Sequence, residues 1–210
     1  MGAVFLDLDG TLSESSAPIA DAIAFALAEV GMPVPSRETL LGYVGPPLID
    51  TFTALGVADP QAALAHYRAH YTAGGMLNAP VYDGIFPSLD ALCAEGHRLY
   101  LMTAKPHVYA RKITAHLGLA PYLTREYGPE IGGANNDKAE LLALALRETG
   151  EFAAQSVMVG DHFNDLRAGR ANNMAVIGVR WGYGSDAELE SADILLNHPR
   201  ELPQAVAQLI

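Results

Sequence analysis

The sequence predicts an α/β fold built on a parallel, buried sheet, and three features carry that prediction. Short, nearly continuous apolar runs recur along the chain, as strands covered on both faces require. Longer segments of helical period separate them. Gly, Pro, Asn or Asp flanks each of those segments and marks its ends.

The strands are expected at Ala3 to Leu8, Arg98 to Met102, Leu123 to Tyr127, Ser156 to Val159, Ala175 to Val179 and Asp193 to Leu196. Helices are expected near Ile85–Ala94, Val108–Leu117, Lys138–Arg147, Asp165–Ala171 and Ala187–Glu190. The first strand is not followed by a single crossover helix. Roughly seventy residues, Ser13 to Tyr82, intervene and read as helical without a convincing strand, which makes them an inserted domain. Within it Pro18 sits at a helix start, Ala20 to Val30 is apolar on one face, and Gly31 with Pro33 ends that helix. Asp59 to Tyr71 supplies another. The expected division is therefore a core of residues 1–12 and 83–210 and a helical insertion of residues 13–82. No repeat or low-complexity tract is visible.

With 210 residues, 50% of them hydrophobic, the chain can bury a real core and is not a disordered one. Its 24 acidic residues against 13 basic ones leave a formal charge of −11, and the sequence pI is near 4.9. Such a chain has no basic field for a nucleic acid backbone or an anionic membrane surface, although local donors can still bind small anions. Cys93 is the only cysteine, which excludes an internal disulfide. No apolar run approaches spanning length, the N-terminus lacks the marks of a signal peptide, and Leu6 stands where a myristoylation signal carries Ser or Thr. A cytoplasmic protein, monomeric or homodimeric, is expected.

Chemistry begins where the first strand ends. Asp7-Leu8-Asp9-Gly10-Thr11 sets two carboxylates two residues apart, and ligand sites in parallel sheets lie at the carboxyl ends of strands. On a strand both would share a face, so their charges would need a cation or a proton to coexist. A calcium EF-hand would need Gly at Leu12 and Glu at Pro18, and has neither. Gly160-Asp161-His162-Phe163-Asn164-Asp165 follows another apolar strand and brings two more acids to the same edge. Four acids from two strand ends make a hard, oxygen-rich pocket suited to magnesium with a phosphate. Asp161 could instead cap the helix near Asp165. Thr103 closes Leu99-Tyr100-Leu101-Met102 and precedes Ala104-Lys105-Pro106, so a hydroxyl and helix-start amides suited to phosphate would face that edge as well. Lys138 heads a helix after Gly132-Gly133-Ala134-Asn135-Asn136-Asp137 and would reach in as a point charge.

The ordered set Asp-x-Asp-x-Thr, Thr103, Lys138 and Gly-Asp-x-x-x-Asp resembles the haloacid dehalogenase superfamily, in its phosphatase branch. Gly45-Pro46-Pro47-Leu48, Tyr82-Asp83-Gly84-Ile85, Thr103-Ala104-Lys105-Pro106 and Ile177-Gly178-Val179-Arg180-Trp181-Gly182-Tyr183-Gly184-Ser185 look like its phosphoglycolate phosphatase-like and bacterial 5′-nucleotidase-like members. The resemblance covers nearly the whole chain. It implies a Rossmann-like core, a helical cap inserted after the first motif, and two-step hydrolysis of small phosphate monoesters. By that resemblance Asp7 is the nucleophile and Asp9 the acid and base. Mg²⁺ would be held by the Asp7 carboxylate, the Asp9 carbonyl and Asp161, with Asp165 behind them. Thr103 and Lys138 would bind the phosphoryl oxygens. Gly10, Thr11, Ala104, Lys105 and Gly45 are the further phosphate or substrate contacts, and the partner is a small phosphorylated metabolite. Asp9 also separates this chain from dehalogenases, which lack the second acid. Two departures stand out, Ser13-Glu14-Ser15 for the usual Asp-Ser pair and Asn172-Asn173 for Ala-Gly.

Other assignments are weaker on the residues. His66 and His70 have zinc spacing on a helix, but Tyr67 takes the place of the metalloprotease Glu and no third ligand is evident. His162 reads as a loop residue, and Trp181 with Tyr183 as props for the loop after the fifth strand or as a surface for stacking substrate. Tyr43 and Arg68 join Gly45 and Lys105 as residues that could recognise a leaving group. A phosphomutase would carry the same four motifs. A receiver domain would have no use for a seventy-residue insertion, and a dead scaffold no reason to keep every motif.

Overall fold

The structure, a computed structural model, describes residues 1–45, 48–131 and 137–210. Pro46, Pro47 and the segment Gly132 to Asn136, which the sequence placed in the insertion's turn and ahead of Lys138, lie outside them. Two compact units divide the chain. One comprises Met1–Glu14 with Val81–Ile210, and the other Ser15–Pro80.

The first unit is organised by a six-stranded sheet in the order β3-β2-β1-β4-β5-β6, every pair parallel. Its strands are β1 (Ala3–Leu6), β2 (Arg98–Met102), β3 (Leu123–Tyr127), β4 (Ser156–Gly160), β5 (Ala175–Val179) and β6 (Ile194–Leu196). Along β1 and β4 successive residues point to opposite faces, yet all are buried, because helices cover both sides. Phe5, Tyr100, Met102, Met158 and Val176 share one face with Leu141, Leu142, Leu166 and Ala168. Those four lie on helices α7 (Lys138–Thr149) and α8 (Phe163–Ala171). Gly169 of α8 lets that helix close on the sheet, since a Cβ there would overlap Val176. The unit also contains α5 (Ile85–Ala94), α6 (His107–His116) and α9 (Leu202–Leu209).

The order places β1 between β2 and β4, and β4 between β1 and β5. The loops after β1, β2, β4 and β5 therefore stand side by side at one edge, which is where the acids were expected.

Two predicted elements differ in form. The first strand stops at Leu6 rather than Leu8. Asp7 N–H still donates to Val159 O (3.0 Å), but Leu8 O then accepts from Leu12 and Ser13 N–H (both 2.9 Å) and Gly10 adopts φ +83°, so the chain curls. Ala187–Glu190 is a turn, not a helix. Ser185 N–H and hydroxyl both donate to the Glu188 carboxylate (2.8 and 2.9 Å), a side-chain substitute for helical bonding.

The second unit is all-helical among its described residues: α1 (Ser16–Glu29), α2 (Arg37–Leu41), α3 (Leu48–Ala54) and α4 (Pro60–Thr72). Asp59 caps α4, accepting from Gln61 and Ala62 N–H at 3.0 Å each, ahead of Pro60 in the first turn. Ala22, Ile23, Ala26 and Leu27 of α1 and Ala63, Leu64 and Tyr67 of α4 are buried, and these two helices pack on each other. The short α2 and α3, and α9 in the first unit, went unpredicted.

Candidate active site

Asp7 leaves β1 into the apolar centre of the sheet edge and is buried. Asp161, directly after β4, and Asp165, in the first turn of α8, are buried with it. Among the described residues these three offer carboxylate oxygens that all lie within 4.8 Å of one another. Lys138, the first residue of α7, enters from the side. Its Nζ lies 2.6 Å from Asp7 Oδ1 and is also bonded to Asp165 Oδ1. Asp137 aims it by capping α7, accepting from Ala139 and Glu140 N–H (2.7 and 3.2 Å) while paired with Arg167 (2.8 Å).

Every acid is held by a neighbour. Asp161 accepts from the Thr11 hydroxyl at Oδ1 (3.2 Å) and from Tyr183 N–H at Oδ2 (2.8 Å). Asp165 Oδ2 accepts from His162 N–H (3.0 Å). The cap of α8 is thus His162, whose Nδ1 accepts from Asn164 N–H (3.3 Å), and not Asp161. His162 Nε2 also meets Glu188 (3.3 Å).

Asp9 stands apart from the three. It is half-buried, forms a bridge with Ser13, and its Oδ2 lies 3.1 Å from Lys105 Nζ. Thr103 is buried, and its hydroxyl accepts from Lys105 N–H (3.1 Å). Ala104 is exposed beside it. Sequence reasoning named Lys105 but had no means to see its pairing with Asp9, because a contact across 96 residues leaves no local pattern. The structure brings Asp7, Asp9, Gly10, Thr11, Thr103, Ala104, Lys105, Lys138, Asp161 and Asp165 to one end of the sheet unit. Gly45 belongs to the helical unit, where it is exposed with φ +118°.

The electrostatics favour a cation. Burial raises the Asp7 carboxyl well above the usual range, partly opposed by Lys138 and reinforced by Asp165 and Asp161. Burial and Asp165 push Asp161 up to about 7. Burial alone would lower the Lys138 ammonium, but Asp165 and Asp7 outweigh it and hold the charge. Fully ionised, the three carboxylates facing one ammonium would carry two negative charges in excess, on oxygen donors. A hard divalent cation such as Mg²⁺ fits that set in charge and in ligand type.

A pH dependence follows. The folded-state value of Asp161, about 7, lies above the 3.8 of an exposed aspartate, so without a cation the folded protein holds the extra proton. That contribution to stability is whole below about pH 4 and is lost as pH rises through about 7. A Mg²⁺ ion bound there would compete with the proton. The rise in Tm produced by saturating Mg²⁺ should therefore be larger at about pH 8 than at about pH 6. Differential scanning fluorimetry with EDTA controls reads it, and a shift equal at both pH values counts against the assignment.

Among the described residues His66 and His70 belong to no cluster of three or more possible metal ligands. His66 Nδ1 lies 3.8 Å from Glu29, and His70 stacks on Phe25 with centroids 4.2 Å apart.

The sequence model of haloacid dehalogenase-like hydrolases matches residues 4–179. The chain belongs to that family. Among curated relatives, this hydrolase is 37% identical to a 5′-nucleotidase of Pseudomonas aeruginosa over 90% of its own length and 86% of the relative's. It is 35% identical to a phosphoglycolate phosphatase of Rhodospirillum rubrum, over 88% of its length and 81% of that chain. It also shares 35% identity with the tyrosine-protein kinase PtkA of Mycobacterium tuberculosis, spanning 86% of this chain and 62% of PtkA. The crystal structure of a predicted phosphatase from Clostridium acetobutylicum superposes with a TM-score of 0.91 at 31% identity, covering 99% of both chains. Among the described residues of the hydrolase no helix is long and apolar enough to cross a membrane.

Proposed function

We propose that this hydrolase cleaves small organic phosphate monoesters, of the phosphoglycolate or nucleoside 5′-monophosphate kind, through a phosphorylated Asp7. The supporting observation is the unequal treatment of two neighbouring carboxylates. Asp7 is buried, clamped by Lys138 and inside the acidic cluster, whereas Asp9 is partly open and lies outside it. A nucleophile must be fixed, and a proton carrier must reach both the leaving group and water.

Asp7 Oδ attacks phosphorus and the ester oxygen departs as the alcohol, taking its proton from Asp9. Asp9 then removes a proton from water, whose oxygen attacks the phosphorus of the acyl phosphate, releasing phosphate and restoring Asp7. Lys138 keeps Asp7 aimed and balances charge as it builds on the phosphoryl oxygens, with Thr103 beside it. The Asp7 and Asp161 carboxylates and the Asp9 carbonyl would hold Mg²⁺, with Asp165 behind. Bound there, the ion would supply neutralising positive charge for the phosphoryl transfer.

The helical unit, Ser15–Pro80, acts in this proposal as a cap that selects the leaving group, with Lys105 of the first unit as the candidate cation for an anionic one. The test is kcat/KM over a panel of phosphoglycolate, nucleoside monophosphates, sugar phosphates and an aryl phosphate, with and without Mg²⁺. Phosphate release that needs Mg²⁺ supports the proposal, and no release from any ester overturns it. A Gly45→Glu variant should reorder the panel, since φ +118° is reserved for glycine and the new side chain is large and charged. Lys138→Ala should slow every ester alike, by about a hundredfold or more, because it serves the phosphoryl group common to all. If Gly45→Glu slowed all esters equally, or Lys138→Ala changed the ranking, the division of labour would be wrong.

A further inference from the structure

We propose that the loop Trp181–Ser185 after β5 is a positioning element of the catalytic centre, holding the Asp161 carboxylate ready for its cation, and not a surface on which substrate stacks. The proposal rests on the Mg²⁺ assignment above.

Sheet order explains why this loop is the one in reach. β4 lies between β1 and β5, so Asp161 is flanked by the loop after β1 on one side and the loop after β5 on the other. Each flank donates to one carboxylate oxygen, the Thr11 hydroxyl to Oδ1 and Tyr183 N–H to Oδ2. An ionised carboxylate oxygen accepts more than one bond, so each remains able to serve a metal while its direction is set.

The two flanks are also tied to each other. Trp181 Nε1–H donates to Thr11 O at 3.0 Å, so the residue that orients Oδ1 is bonded to the loop that orients Oδ2. The indole N–H is thereby engaged inside the protein. The Tyr183 side chain forms a hydrogen bond with that of Tyr82, and Tyr82 N–H donates to Leu12 O (3.2 Å), closing a circuit back to the first loop.

Close packing points the same way. A Cβ on Gly182 would overlap both the Asp161 side chain and Gly10 O, and one on Gly184 would overlap Asp161 O. Neither glycine has a positive φ, so what these positions demand is the absence of a side chain, not backbone freedom. Gly10 presses on the same carboxylate from the opposite loop. Asp161 is therefore enclosed by three glycines as well as by two donors.

The experiment titrates Mg²⁺ into substrate-free wild type, Gly182→Ala, Trp181→Phe and Tyr183→Phe by isothermal titration calorimetry. Tm in EDTA reports the integrity of each fold, and substrate KM is measured at saturating Mg²⁺. Gly182→Ala should raise the Mg²⁺ Kd by about tenfold or more, the usual scale for a group that orients a metal ligand. Trp181→Phe keeps an aromatic ring but loses the donor to Thr11 along with part of the indole's volume, and should raise Kd by about threefold or more. Activity lost at low Mg²⁺ should return as Mg²⁺ is raised, with substrate KM little changed. Should Gly182→Ala fail to fold, Trp181→Phe decides alone. If both Kd values stay within about twofold of wild type while substrate KM rises in Trp181→Phe or Tyr183→Phe, the loop contacts substrate and the proposal is overturned. Kd and KM both unmoved overturn it too. A wild type that binds no Mg²⁺ overturns the cation assignment itself, which distinguishes that failure from this one.

Discussion

Asp7→Asn should abolish phosphate release from every ester, by about 10⁴-fold or more, equivalent to at least about 5 kcal/mol in the barrier. An amide oxygen is a poor nucleophile toward phosphorus, and no other carboxylate of the cluster can replace it. Asp165 is engaged by Lys138 and His162 N–H, and Asp161 by Thr11 and Tyr183 N–H. The loss should not come from unfolding. Burial opposes the Asp7 charge and Asp165 and Asp161 repel it, so a neutral amide relieves the metal-free site even as Lys138 keeps Asp165. The Tm in EDTA should therefore hold or rise. Quenched single-turnover reactions followed by intact mass should show a phosphorylated species in the wild type and none in the variant. Substantial turnover by purified Asp7→Asn, with a contaminating phosphatase excluded, would remove Asp7 from the nucleophile's place.

Asp9→Asn should cost about a hundredfold or more for alkyl phosphates and distinctly less for aryl phosphates, whose leaving groups need little protonation. Two steps lose their proton carrier. The fold should tolerate it. Asp9 lies 3.1 Å from Lys105 in a pair whose side chains are mostly buried, but asparagine keeps the size and an oxygen acceptor for that ammonium, so Tm should fall only modestly. The decisive measurement is the ratio of kcat for an alkyl and an aryl ester in wild type and variant. An equal loss on both would assign Asp9 to positioning, and a loss of only a few-fold on the alkyl ester would show that another group carries the proton.

Much of the candidate site's placement was legible in the sequence. Asp7, Asp161 and Thr103 were placed by one rule, that apolar runs of strand length end at the edge where ligands bind, and each does follow such a run. Lys138 was legible as the head of a helix after the polar run Gly132 to Asp137, and only the structure shows Asp137 as that helix's side-chain cap. What was misread lies where side chains substitute for backbone partners. Ala187–Glu190 has helical composition but is held as a turn by Ser185 and Glu188. His162, read as a loop residue, caps α8 in the role first considered for Asp161. The short helices α2 and α3 have five and seven residues, too few for a periodic signal.

The sequence by itself determined the α/β class, the family, the helical insertion after the first strand and the acids at strand ends, because each is written in local periodicity or in the order of short motifs. Tertiary structure alone decided the partnerships: Lys138 with Asp7 and Asp165, Lys105 with Asp9, and the Trp181–Ser185 loop around Asp161. The physical reason is that strand order, not sequence order, sets which loops are neighbours. Loops that lie some 150 residues apart along the chain, at Thr11 and Asp161, meet at 3.2 Å because β1 and β4 are hydrogen-bonded side by side. The charges and glycines they carry acquire a purpose only in that company.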